Sequence, residues 1–418
     1  MLLCKNFFQL KIVVLVVVYC LIFLFFELYA FQAIKTLIKS KLILNIYKIV
    51  SAVLFVILFY YFSKFDRSAG MTRTNMYTMG AMLLVLVPKM ILTFFMFAED
   101  IVRVIVGCAN FFINTNSNES FLISRRKFVS QIGMGIAAIP FISLIYGITI
   151  GRYNFKVIKQ RLFFNDLPDD FDGFQITHIS DVHSGSFDNP EKIEYAIDLI
   201  NQQNSDLILF TGDIVNNKAE EMHPWIDTFN KIKTHKYGKF SVLGNHDYGA
   251  YIDFPSPKEK LQNFENIKNL YGQIDFDLLL NEHKFIQKGS SKLAIVGVEN
   301  WGKGFGENGD INKASKNLTK DDFKILMSHD PSHWEYQIKN HAKHFQLTLS
   351  GHTHGMQFGI EIPGIIKWSL AQYVYKQWAG LYENLGRYIY VNRGFGYHAY
   401  PGRVGIMPEI TVIELKKR

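Results

Sequence analysis

The sequence predicts N-terminal transmembrane helices, about four of them, followed by an α/β domain, with the division at residues 1–151 and 152–418. Three observations predict it. Apolar residues crowd into roughly the first 150 positions. From about Val157 onward, short apolar runs each close in a cluster of Asp, His, Asn and Gly. Helix-length segments such as Pro190 to Gln202 separate the early runs, so strands and helices alternate as in βαβ units.

A helix needs roughly 20 apolar residues to cross a bilayer. Ile12 to Phe31, with Glu27 its one charge, meets this, as does Leu42 to Phe62 with Lys48 near its start. A third run, Tyr77 to Ala98, is interrupted by Pro88 and Lys89. An ionisable group at that depth either snorkels or faces a neighbouring helix, and helix packing is the expected role. The fourth run, Phe128 to Ile150, is rich in Gly and Ala. Ile101 to Ile113 is too short to span and is expected to lie in the interface.

Just before the fourth run stands Ser124-Arg125-Arg126-Lys127-Phe128-Val129. It resembles a twin-arginine export signal, and it reads equally well as anchor arginines obeying the positive-inside rule. Both readings keep Arg125 and Arg126 in the cytoplasm and carry the following domain outward. Lys35, Lys39 and Lys41 agree, whereas Lys64, Arg67, Arg73, Arg152, Lys156, Lys159 and Arg161 point the other way. The expectation is a multi-pass membrane protein with an extracytoplasmic catalytic domain.

The net charge of +8 is spread along the chain or flanks the apolar runs, and no basic helix or aromatic nucleic-acid platform appears, so no nucleic-acid partner is expected. Cys4, Cys20 and Cys108 all lie in the apolar part. The soluble part therefore carries neither a disulfide framework nor a thiolate metal site.

Five apolar runs of that part end in potential ligands. Gln175 to Ser180 leads to Asp181-Val182-His183, and Leu207 to Thr211 leads to Gly212-Asp213. Phe240 to Leu243 precedes Gly244-Asn245-His246-Asp247. Lys324 to Met327 precedes Ser328-His329, and Phe345 to Leu349 precedes Gly351-His352-Thr353-His354-Gly355. One Asp-x-His or Gly-Asp alone is usually surface decoration or a turn. Five in order, each closing a strand, are a site at the strand ends, where open α/β sheets build them. Carboxylates, imidazoles and one amide, without thiolates, suit two divalent ions of the Mn, Fe, Zn or Co type. A carboxylate can bridge two such ions, which then hold a hydroxide and clamp a phosphate.

This ordered series resembles the calcineurin-like metallophosphoesterases over residues 170–416. Asn392-Arg393-Gly394-Phe395-Gly396 and Pro408-Glu409-Ile410 resemble the closing segments of a bacterial subgroup with membrane or twin-arginine leaders; Met356 departs from it, standing where that subgroup commonly has Gly. The resemblance implies an αββα sandwich. It implies that Asp181, His183 and His354 hold one metal, that Asn245, His329 and His352 hold a second, and that Asp213 bridges them. His246 would not ligate but act on the leaving group or phosphate, with Asp247 either orienting it or serving as a turn residue. His178, His223, His235, His283 and His398 read as ordinary surface or core residues, and His333 and His341 as packing or solvent-facing ones.

The leading function is hydrolysis of a phosphate ester, a phosphodiester for preference, with a lipid-linked or cell-envelope substrate suggested by the anchor. The alternatives are a cytoplasm-facing nucleotide or nucleotide-sugar hydrolase, and an inactive membrane sensor or scaffold. Ile365 to Tyr382 mixes Trp, Tyr and Lys, the composition of membrane interfaces, and follows the His352/His354 pair. It is either a core element of the sandwich or, as expected here, an apolar lip beside the metals that includes Trp368 and Trp378 and faces the membrane or a lipid-like leaving group.

Overall fold

The computed structural model describes residues 2–113, 119–362 and 364–418. Backbone contacts divide it into two units, residues 1–65 with 78–146, and residues 66–77 with 147–418. The sequence pointed to a single cut after residue 151. The difference is that residues 66–77, between two apolar helices, group with the C-terminal unit.

The first unit is helical. The helices are α1 (Leu2–Leu37), α2 (Lys41–Ser63), α3 (Arg73–Ile113) and α4 (Glu119–Thr149). Each contains a stretch long and apolar enough to cross a membrane: Val17–Leu37, Lys41–Ser63, Arg73–Phe112 and Ser124–Thr149. Residues 101–113 are not a separate interfacial segment. They continue α3, which runs through Pro88 without ending, so the short apolar run is the last three turns of a longer helix. Lys89 Nζ lies 2.5 Å from Glu27 Oε2 and 2.9 Å from Ser51 Oγ, which joins three helices through one paired charge. Such pairing is how an ionisable group is tolerated at membrane depth. A second polar knot centres on Glu99, which is 3% exposed and pairs with Arg103, Arg125 and Arg126.

The second unit holds two six-stranded sheets. The strands are β1 (Lys156–Phe164), β2 (Gln175–Ile179), β3 (Leu207–Phe210), β4 (Lys239–Ser241), β5 (Asp277–Leu278), β6 (Glu282–Lys288) and β7 (Ser291–Gly297). They continue as β8 (Lys324–Met327), β9 (Leu347–Ser350), β10 (Gly359–Ile362), β11 (Ile366–Ser369), β12 (Gly380–Asn384), β13 (Arg387–Val391) and β14 (Glu409–Lys417). One sheet runs β1-β14-β2-β3-β4-β5 and the other β12-β13-β9-β8-β7-β6, with β10-β11 a separate pair.

Strand alternation builds the layers. Leu207 and Leu209 meet Ile325, Met327, Leu347 and Leu349 in the core between the sheets. Their neighbours Ile208 and Phe210 face the other way, onto α5 (Pro190–Asn201), α6 (Ile226–Phe229) and α7 (Pro257–Gln273). Both faces of these short strands are buried, so they read as continuous apolar runs. Helix α5 starts where Asn189 caps Lys192 N and Pro190 takes the first position; it buries Ile193, Ala196, Ile197 and Ile200, one face at helical spacing. Helix α7 starts the same way, on Ser256 and Pro257. The result is the αββα sandwich that the resemblance implied.

Residues 66–77 are sewn into this unit. Arg73 donates to the carbonyls of Gly185 and Phe187, Tyr77 to Asp188, and Asp253 N to the Ser68 carbonyl at 2.9 Å. Arg152 Nη1 pairs with Asp188 at 3.1 Å and bonds the hydroxyls of Tyr77 and Tyr397.

Candidate metal centre

Strands β2, β3 and β4 are parallel neighbours, as are β8 and β9 in the opposite sheet. Their C-terminal ends therefore emerge together, and each delivers candidate ligands in the next few residues. The backbone turns sharply there. Asp181, His183, Asp213, His352 and His354 all have φ between 49° and 69°, the left-handed region. Non-glycine residues seldom adopt it and are held there only when the surroundings over-determine them. Two glycines supply the space: a Cβ on Gly351 would stand 2.1 Å from Asp181 Oδ2, and one on Gly244 would stand 2.2 Å from Asp213 Oδ1.

The side chains meet in overlapping sets. Asp181, His183 and His354 have ligand atoms within 4.8 Å of one another, as do Asp213, His329 and His352. Asp213 Oδ2 lies 3.5 Å from His183 Nε2 and 3.1 Å from His329 Nε2, so one carboxylate oxygen faces both sets. Asn245 Oδ1 lies 3.0 Å from His329 Nε2 and 2.8 Å from His352 Nδ1, while its amide nitrogen donates to Tyr251 Oη at 2.7 Å. Asp181 accepts from the backbone N–H of His352 at 2.9 Å and lies 3.3 Å from His354 Nε2.

Neighbouring oxygens set the imidazole tautomers. His329 Nδ1 lies 2.6 Å from the Thr211 carbonyl, and a carbonyl only accepts. Nδ1 therefore carries a proton, and Nε2, which faces Asp213 Oδ2, is the nitrogen a metal would take by displacing a proton. His183 Nδ1 meets Asn216 Oδ1 at 3.1 Å with the same consequence. Burial, and then the imidazoles of His398 and His246, hold His183 well below the usual histidine range, which keeps it neutral. Burial also opposes protonation of His329, but the Asp213 carboxylate outweighs it and holds this group up to about 10. The fit to metal is supported by an orphan: His354 Nε2 is buried without a hydrogen-bond partner, 3.3 Å from Asp181 Oδ1. Hard oxygens with imidazole nitrogens suit divalent first-row ions.

His246 stands beside these sets. Its Nδ1 lies 2.7 Å from the Asn216 carbonyl, and its ring packs edge-on against His183 at 4.8 Å. Asp247 does not touch this imidazole. Its carboxylate accepts from the backbone N–H groups of Asp213, Ile214 and Gly244 at 2.8–3.0 Å and from Tyr271 Oη at 2.8 Å, so it braces the loop that carries Asp213. Burial, then the Asp213 charge, push it up to about 7.

Residues 174–356 match the family described as Calcineurin-like phosphoesterase, and residues 10–152 match "Probable Calcineurin-like phosphoesterase, transmembrane domain". The chain is 32% identical over 253 residues to the uncharacterized metallophosphoesterase YkuE of Bacillus subtilis, covering 60% of this chain and 82% of that one. It belongs to the calcineurin-like metallophosphoesterase family. This metallophosphoesterase is also 24% identical over 282 residues to a zebrafish (Danio rerio) transmembrane protein with metallophosphoesterase domain, spanning 65% of this chain and 60% of that one. An uncharacterized metallophosphoesterase of Helicobacter pylori (strain J99) is 28% identical over 300 residues, 71% of this chain and 73% of that one. The chain is thus a membrane-associated phosphoester hydrolase, with His and Asp groups placed to bind metal.

Some residues of the metallophosphoesterase site escaped the sequence reading. His398, read as ordinary, stacks on His183 at 4.8 Å and turns Nδ1 to Asn216 Oδ1 at 3.1 Å. Asn216 thus orients three imidazoles, two through its side chain and His246 through its carbonyl. Its position three residues beyond Asp213 was the available signal. Tyr375 Oη lies 2.8 Å from His352 Nε2, and buried Arg403 reaches within 2.9 Å of His354 Nδ1. Of the other histidines read as ordinary, His178 faces Thr211 Oγ1 at 2.9 Å, His283 the Ala314 carbonyl at 2.7 Å, and His333 stacks on Trp301. Met356 has φ 49° and is exposed, a left-handed position that glycine would fill without strain.

Proposed function

We propose that this metallophosphoesterase hydrolyses a phosphodiester at a two-metal site on the outer face of the membrane, with a lipid-linked or cell-envelope ester as substrate. The observation that carries the two-metal reading is Asp213 Oδ2, placed between His183 and His329. In this reading Asp181, His183 and His354 would hold one ion and Asn245, His329 and His352 the other, with Asp213 lending its charge to both. Divalent ions held there supply charge neutralisation for the phosphate and a more acidic water. His246, with Nδ1 fixed by the Asn216 carbonyl, keeps Nε2 for a proton that passes to the leaving oxygen. His398 and Tyr251 pack against its ring and limit its rotation.

The test is the purified full chain, with bound metal measured and turnover compared on a chromogenic phosphodiester, a monoester and a lipid-linked phosphodiester. Diester turnover that a chelator abolishes and Mn, Fe, Zn or Co restores is expected. Absence of both metal and turnover would leave the scaffold reading.

The outward orientation rests on the positive charges. Lys35, Lys39, Lys41, Arg125 and Arg126 favour a cytoplasmic position for one set of helix ends. Arg73 and Arg152 among the opposing charges have structural partners, as Arg125 and Arg126 do among the favouring ones, so pairing alone does not shift the balance. Arg126 lies 2.9 Å from Glu99 and 2.6 Å from Asp100, and Arg125 lies 3.3 Å from Glu99, which supports bundle residues over an export signal. A reporter fused after Arg418 is expected to be active only outside the cytoplasm. Lysines at 125 and 126 are expected to leave its location unchanged; mislocalisation would restore the twin-arginine reading, and a cytoplasmic C-terminus would favour the nucleotide or nucleotide-sugar hydrolase.

A further inference from the structure

The β10–β11 hairpin belongs to neither large sheet and is amphipathic the wrong way round for a water-facing ribbon. Opposite residues of an antiparallel pair share a face. Ile360 pairs with Trp368 and Ile362 with Ile366, while Glu361 pairs with Lys367 between them. The charged face is the one turned onto the domain. Glu361 accepts from Arg393 Nε at 2.9 Å and Nη2 at 2.5 Å. The Lys367 ammonium bonds the Ala379 carbonyl and lies over the rings of Trp378 and Tyr382 at 5.0 and 4.9 Å. The apolar face is left outward, with Ile360 49%, Ile362 48% and Ile365 80% exposed. The segment beyond continues the patch with Leu370 at 49%, Tyr373 at 72% and Val374 at 64% exposed. A one-sided sheet on a soluble domain puts its apolar side inward, and a contiguous patch of this kind marks a contact surface.

The sequence reading put Trp368 and Trp378 on this surface. Trp378 is instead 5% exposed and packs with Ala371, Ala379 and Ile406, and Trp368 is half-buried. The lip is aliphatic, and the tryptophan at 378 is its foundation.

We propose that this hairpin and the turn after it dock onto the bilayer that the chain itself spans. The covalent tether favours that occupant. Helix α4 ends at Thr149 and β1 begins at Lys156, so residues 150–155 hold the catalytic unit within about 25 Å of a membrane-spanning segment at full extension. A surface permanently that close is met at a far higher effective concentration than any diffusing protein. Branched aliphatic side chains with an exposed tyrosine, their neighbouring charges paired beneath, match an interfacial element. Tyr375, on the same segment, touches His352. Docking therefore brings one edge of the metal centre to headgroup level, where a lipid-borne phosphoester lies.

The test uses the full chain in lipid nanodiscs, with Cys4, Cys20 and Cys108 replaced by Ser. An environment-sensitive fluorophore is attached at Ile365→Cys, at Leu370→Cys, or at Tyr195→Cys on α5 as an exposed reference. Spin-labelled phosphatidylcholine is expected to quench the label at 365 and at 370 several-fold more than at 195. Agreement of the two hairpin positions guards against a local perturbation by either label. Quenching no greater than at 195 would overturn the proposal. So would shielding from aqueous iodide without lipid quenching, which would mean that protein, such as a second copy of the chain, covers the patch. The readout needs no turnover, so its failure and that of the proposed reaction are distinguishable.

Discussion

Asp213→Asn is expected to lower occupancy of both metals and to cut kcat/KM by about 10³ or more, roughly 4 kcal/mol of transition-state stabilisation. The carboxylate has three tasks in the structure. Oδ2 faces His183 and His329 together, while Oδ1 accepts from the His246 backbone N–H at 2.8 Å. An amide keeps the shape but loses the charge and presents N–H groups to one set of ligands. The pocket also brings several imidazoles into a buried space, where cations need fixed negative charge nearby. Metal analysis beside turnover checks this: unchanged metal content with wild-type turnover would remove Asp213 from the bridging position.

His246→Ala is expected to leave the metal content intact and to reduce kcat by roughly 10²–10⁴, the usual worth of a positioned acid. The loss should shrink for esters with acidic leaving alcohols, which depart without a proton. An equal loss for good and poor leaving groups would mean that the imidazole stabilises phosphate charge. Loss of a metal would make His246 a ligand, for which its proximity to His183 and Asp213 provides. The Asn216 carbonyl on Nδ1 leaves Nε2 as the nitrogen for each of these roles, so metal content and leaving-group dependence are what separate them.

The ligand series was legible because each member stands two to five residues beyond a short, buried strand, and such strands betray themselves as apolar runs. The parallel order of β2, β3 and β4 then makes those offsets converge. His398 and Tyr375 were not legible as site residues. They reach the centre on segments that fold back over it, and no periodicity ties such segments to the strand ends. The misplacement of Trp378 has a related cause. Composition reports that a stretch is amphipathic but not which side of a two-stranded ribbon its tertiary neighbours cover. Arg393 and the Ala379 carbonyl decide that here, by capturing the charges. The third helix was underestimated because Pro88 and Lys89 interrupt the apolar run and Glu99 and Asp100 follow its end, yet Pro88 sits inside a continuous helix and the carboxylates find arginines.

Residues 66–77 carry a consequence for how the protein is made. Arg73 finds its acceptors at Gly185 and Phe187, more than a hundred positions later in the chain. During synthesis this short piece leaves the ribosome first and waits while α3 and α4 are inserted, and only then does its partner surface emerge. Those bonds therefore form only after both helices and the chain beyond them have been made. A polypeptide begun at residue 152 would lack the piece altogether and leave the carbonyls of Gly185 and Phe187 without their guanidinium donor. Residues 66–77 and the C-terminal unit must also reach the same side of the membrane, so an insertion error that separates them forfeits these bonds.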